Sequence, residues 1–162
     1  MLLLLLSLPT AEAKDLRSKI GLGFHQELGS MSALSVRYGF PAAKPITNIQ
    51  LEADVGLALA ADSPTELYAG GRLLYTVVAE DNMNFYLGAG AGYATVAGSD
   101  ADGDPTSTGF VRIQPALGAE FFLFGLENLG FSVEWGANID LGSAWAVQTV
   151  GSAPAAAVHY YF

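Results

Sequence analysis

The stretch Leu129-Gly130-Phe131-Ser132-Val133-Glu134-Trp135-Gly136-Ala137-Asn138-Ile139-Asp140-Leu141 alternates without a break between apolar odd positions and small, polar or acidic even ones. Successive side chains of a strand point to opposite sides, so this segment is a β-strand with one apolar and one polar face. The same rhythm runs outward in both directions. Toward the C-terminus, Ala153 to Phe162 places Ala156, Val158, Tyr160 and Phe162 on one face and Ala155, Ala157, His159 and Tyr161 on the other. Toward the N-terminus, Gly109 to Phe124 opposes Val111, Ile113, Leu117, Phe121 and Leu123 to Arg112, Gln114, Gly118 and Glu120.

Five further segments follow the pattern. Asn84 to Val96 sets Phe85, Leu87, Ala89, Ala91 and Tyr93 against Tyr86 and a run of alternate glycines. Thr47 to Ala60 opposes Ile49, Leu51, Val55, Leu57 and Leu59 to Gln50, Glu52, Asp54 and Gly56. Ser32 to Phe40 opposes Leu34, Val36, Tyr38 and Phe40 to Ala33, Ser35, Arg37 and Gly39, and Lys19 to Leu28 opposes Ile20, Leu22, Phe24 and Leu28 to Gly21, Gly23, His25 and Glu27. Glu66 to Ala79 is less regular: Leu73, Tyr75 and Val77 oppose Gly70, Arg72 and Thr76, but Leu74 and Val78 fall on the polar face. The expected fold is all-β, an eight-stranded antiparallel up-and-down barrel that uses the chain from Lys14 onward as one domain.

Composition narrows the solvent. Charged residues make up only 14% of the 162-residue chain, and there are no cysteines, so closure of the sheet rather than disulfides must hold the fold. A net charge of -9 with seven Lys and Arg argues against nucleic acid as a partner. A soluble barrel such as a lipocalin would put its apolar face inside around a ligand and a densely charged face in water. Here the polar face is too lightly charged for that and suits a narrow interior, which turns the apolar face toward lipid. Tyr38, Phe40, Phe85, Tyr93, Phe121, Trp135, Tyr160 and Phe162 then become membrane-interface aromatics.

The N-terminal residues 1–13 read as a signal peptide. Leu2 to Leu6 form an apolar run too short to span a bilayer, followed by Ala11-Glu12-Ala13, a small-residue cleavage pattern, although no basic residue precedes the leucines. With the N-terminus in the periplasm, the short connections Pro41 to Pro45, Glu80 to Asn82 and Gly125 to Asn128 face inward. The longer Ala97 to Thr108 and Gly142 to Ser152 face outward, with a short first outer loop near Gly29 to Met31.

The terminal Tyr160-Tyr161-Phe162 and the alternating segments from Lys14 onward resemble the small bacterial outer-membrane β-barrels of the OmpA/OmpX type. The resemblance implies an integral outer-membrane protein in contact with membrane lipid and lipopolysaccharide, recognised by the barrel-assembly machinery through its terminal Phe162. It implies a structural or interaction role, with outer loops presented to an extracellular or envelope partner; a narrow pore is the alternative. It also raises lipid A enzymes, of which the deacylases carry Ser and His two residues apart on a lipid-facing strand and the palmitoyltransferases a His with Asp-Ser in the outer loops. His25 precedes Gln26-Glu27 and His159 precedes Tyr160-Tyr161, and Asp62-Ser63 has no outer-loop histidine beside it, so no catalytic residue is assigned.

Nine charged residues share the inward face: Glu27, Arg37, Glu52, Asp54, Arg72, Arg112, Glu120, Glu134 and Asp140. A poorly solvated charge must be paired, so Arg37, Arg72 and Arg112 are expected to bridge carboxylates on neighbouring strands, with Glu52, Glu120 and Glu134 first among them, and to plug the lumen. His25 and His159 also face inward. A metal would need a third ligand such as Glu27 beside them, and without cysteine or a paired-histidine spacing no metal site and no cofactor are expected. Asp100, Asp102 and Asp104 begin like a calcium loop, but Pro105 replaces its glycine and Val111 its bidentate glutamate. The loop is read as a solvated acidic tip, at most a weak hydrated cation site.

Overall fold

The computed structural model describes residues 14–26, 32–41, 48–61, 63–100, 102–149 and 155–162. Nine strands appear: β1 (Ile20–Gln26), β2 (Ser32–Gly39), β3 (Ile49–Ala60), β4 (Ser63–Glu80), β5 (Met83–Ser99), β6 (Pro105–Phe122), β7 (Leu129–Leu141), β8 (Trp145–Thr149) and β9 (Ala155–Tyr161). Each of β1 to β7 pairs antiparallel with its sequence neighbour, and β9 pairs with both β7 and β1, which closes the sheet. β8 and β9 lie on different stretches of the same strand: β8 pairs with Ala137 to Leu141 of β7, β9 with Leu129 to Glu134. They form one stave in two pieces, and the barrel has eight staves.

The burial pattern is inside out. Leu22, Leu34, Leu51, Val55, Leu73, Leu87 and Leu117 are all roughly half exposed on the outer wall, whereas Arg37, Glu52, Arg72, Glu120 and Glu134 are at most 1% exposed inside. All eight aromatics expected at the interfaces point outward. Tyr38, Phe40, Phe85, Phe121, Tyr160 and Phe162 lie at strand ends on the side of the chain termini, where Tyr38 with Phe40 and Tyr160 with Phe162 make edge contacts of 5.6 and 5.1 Å. Trp135 lies mid-strand and Tyr93 in the other half, so six of the eight make one belt and these two lie outside it.

Three sequence expectations need correction. The long outer loop placed at Ala97 to Thr108 is mostly ladder: β5 and β6 stay paired out to Ser99 and Pro105, and the turn is only Asp100 to Asp104. Asp100 closes it by accepting from the amides of Asp102 (3.0 Å) and Asp104 (2.9 Å), with Gly103 at φ 88°. Likewise Gly142 to Ser152 is not one loop, because Trp145 to Thr149 pair with β7 and leave a turn of residues 142–144. The third correction concerns Val78 alone, since Leu74 lies on the polar face as expected. A bulge between Thr76 and Val78 turns Val77 and Val78 both outward, while Leu74 points in over Gly88, its partner on β5.

Pro115 marks a second irregularity, since it has no N–H to give and the β6–β7 ladder skips Gln114 and Pro115. Glu27, the Gly29 to Met31 loop and residues 1–13 lie outside the described residues, as do residues 42–47, which take in all of the Pro41 to Pro45 connection after Pro41.

At the end where the termini meet, the chain ahead of β1 folds across the barrel mouth. Leu16 is 1% exposed and packs on Phe122 and Tyr161. Its amide donates to Asn48 Oδ1 (3.2 Å), and the Lys14 carbonyl accepts from Asn48 and Asn84 side chains at 3.0 and 3.4 Å. Arg17 hydrogen-bonds the Asp15 carboxylate and holds its pKa below the ordinary value, which fixes the turn that presents Leu16.

Candidate functional site

The interior is a layered polar core that follows from strand parity. Arg37 on β2, Glu52 on β3 and Arg72 on β4 stand directly opposite one another in register, so one carboxylate takes hydrogen bonds from two guanidiniums, including Arg72 Nε at 2.8 Å. Across the lumen, Arg37 Nη1 donates to Glu120 Oε1 (3.0 Å) and Ser132 Oγ (3.1 Å), and Arg72 Nη1 to Glu134 Oε2 (2.6 Å). Two phenols complete the set: Tyr86 donates to Glu134 (2.5 Å) and Tyr161 to Glu120 (2.7 Å). Because side chains from β2 to β7 and β9 meet at the axis, they fill the lumen.

Glycine makes the room. Gly90 stands opposite Arg72 on β5, and a Cβ there would press on the Arg72 side chain and lie 2.6 Å from the Gly71 carbonyl oxygen. Gly90→Val is therefore expected to cost about 1–3 kcal/mol through overpacking, seen as a lower urea midpoint of the refolded barrel; an unchanged midpoint would contradict the packing.

Toward the end of the barrel away from Leu16 the layers become neutral. Arg112 binds Asp140 in a two-pronged pair (2.6 and 2.9 Å) that is slightly exposed, and Tyr68, Gln114 and Asn138 form a relay at 3.0 and 3.1 Å. Arg37 and Arg72 meet Glu52 on the neighbouring strand, but they take Glu120 and Glu134 across the lumen, and Arg112 takes Asp140 rather than one of these three glutamates.

His25 and His159 both lie inside, 1% and 0% exposed. His159 Nε2 meets Ser35 Oγ at 2.8 Å. His25 Nδ1 is 3.9 Å from both Glu52 Oε1 and Asp54 Oδ1, and its Nε2 is 3.6 Å from Glu134 Oε2, which makes His25, Glu52 and Asp54 a set able to hold a metal ion. Glu27, the third ligand a metal would need beside His25 and His159, is outside the described residues, and the set that meets is a different one, without His159. In the β5–β6 turn, the Asp100 carboxylate is spent on backbone amides, and Asp102 and Asp104 are exposed.

No family model, curated protein or solved structure matches this chain. Function therefore rests on geometry. The residue that sequence reasoning missed is Leu16, one apolar position in a short polar stretch with no periodicity to reveal it. Its signal was placement alone, immediately ahead of the first strand.

Proposed function

We propose that this protein is an integral outer-membrane barrel with a structural or interaction role, its lumen plugged by the arginine–carboxylate core. The observation that carries the reading is the inverted burial. A continuous apolar wall is exposed while ions are sealed inside, the reverse of what water as surrounding solvent rewards. Such a wall is satisfied by lipid tails, with the aromatic belt at the headgroup level and the lengthened β5–β6 and β7–β8 hairpins presented beyond the membrane to a partner.

Refolded in detergent, the chain should migrate on an unboiled gel as a compact species that shifts on boiling. Full solubility without detergent and no heat-modifiable species would refute the reading. The pore alternative has its own readout. A lumen filled by Arg37, Arg72, Glu52 and Glu134, and covered by Leu16 at one mouth, should give no stepwise conductance in planar bilayers. Reproducible channels that change with Arg72→Ala would favour transport.

A further inference from the structure

The lumen holds an excess of negative charge. Among the described residues of its central layers, two guanidiniums, Arg37 and Arg72, face four carboxylates, Glu52, Asp54, Glu120 and Glu134. Arg112 and Asp140 cancel one another. Two of the four carboxylates are thus left without a guanidinium to balance them in a space closed to water, where uncompensated charge costs several kcal/mol per ion.

Of the eight buried side-chain atoms without a hydrogen-bond partner among the described residues, three lie together at one spot. Asp54 is 1% exposed with no hydrogen-bond partner at either oxygen, and His25, equally buried, has none at Nδ1. Buried polar groups are nearly always partnered, so atoms left over at one point call for a common ligand. The fold brings them together deliberately. His25 on β1 and Asp54 on β3 are separated by β2, whose inward residues at those registers are Ala33 and Ser35, and Gly70 stands beyond Asp54 on β4. Small side chains beneath let the imidazole and the carboxylate meet above them.

We propose that His25, Glu52 and Asp54 bind a single divalent transition-metal ion of the zinc class inside the barrel. The three ligand atoms lie within 4.8 Å of one another, with His25 Nδ1 3.9 Å from each carboxylate oxygen. A tetrahedral ion with bonds of about 2.0–2.1 Å holds its ligands roughly 3.4 Å apart, a contraction that side-chain rotation supplies. One imidazole with two carboxylates suits this class better than calcium, which takes six to eight oxygens. Glu134 provides the outer support: Nε2–H of His25 directed at Glu134 Oε2 leaves the Nδ1 lone pair aimed at the ion. The competing tautomer, in which Nε2 accepts from Arg72 Nη2 at 3.3 Å, puts the proton on Nδ1 and must be displaced on binding. A divalent ion would also cancel the two excess charges.

The test is refolding of the full chain in detergent with Co²⁺ as a spectroscopic substitute for Zn²⁺, followed by gel filtration into EDTA. The expected result is one equivalent of cobalt retained through the column, with the visible absorption of low-coordinate Co²⁺, because a sealed lumen releases its ion slowly while surface carboxylates are stripped at once. His25→Gln and Asp54→Asn should each lower retention at least about tenfold, whereas Asp102→Asn should leave it unchanged. Variants are compared only where the heat-modifiable band shows a folded barrel, and either lumen variant alone decides the assignment. Wild-type barrel that retains no cobalt, or retention that survives the folded lumen variant, would overturn the site.

Discussion

Replacing Arg72 by alanine should destabilise the barrel by about 3–5 kcal/mol, the cost of leaving a buried carboxylate without its counter-charge. Glu52 would keep Arg37 as its one guanidinium, and Glu134 would lose its contact at 2.6 Å and keep the Tyr86 hydroxyl and the more distant Arg37 Nη2 at 3.5 Å. The measurement is the urea midpoint of the refolded protein in detergent or vesicles. A double variant, Arg72→Met with Glu134→Gln, removes charge of both signs and should recover a large part of the loss, since a balanced apolar replacement avoids stranding either ion. Arg112→Ala sets the scale from below. Its partner Asp140 is partly solvated, so the loss should be nearer 1 kcal/mol. Equal costs at Arg72 and Arg112 would mean that the central layers do not carry the stability assigned to them.

The reach of the sequence can be judged from these same residues. That Arg37, Glu52 and Arg72 share the interior follows from parity, because a one-residue slip would expose every charge on that strand and bury its leucines. Which carboxylates they meet does not follow. Arg37 to Glu120 and Arg72 to Glu134 are contacts across a closed barrel, fixed by strand tilt and stagger, which the alternation of a single strand does not encode. Hairpin length failed for another reason. Thr106 to Thr108 and Gly98 look like loop, yet a ladder already aligned by its neighbours continues through residues of modest strand preference, and Trp145 to Thr149 extend β7 in the same way. The meeting of His25 with Asp54 over Ala33 and Ser35 needed three strands in register at once, although each residue's parity was plain.

Leu73→Arg should test the surrounding solvent more sharply than any change inside. Leu73 is half exposed on the outer wall of β4, next in sequence to the central Arg72, with Leu51 and Ala89 as its register partners. In a bilayer an arginine near the midplane of a barrel wall costs about 2–4 kcal/mol, falling to about 0–1 near the interfaces. In water the same substitution on an exposed strand face is nearly neutral. Phe124, fully exposed in the turn after β6 on the side of the termini, supplies the interfacial comparison, and Phe124→Arg should change little in either setting. Unfolding of both variants from phospholipid vesicles would therefore show a gap of about 2–3 kcal/mol if the wall faces hydrocarbon. The two would coincide if it faces water, and since neither side chain touches the lumen, a gap cannot be blamed on damage to the polar core.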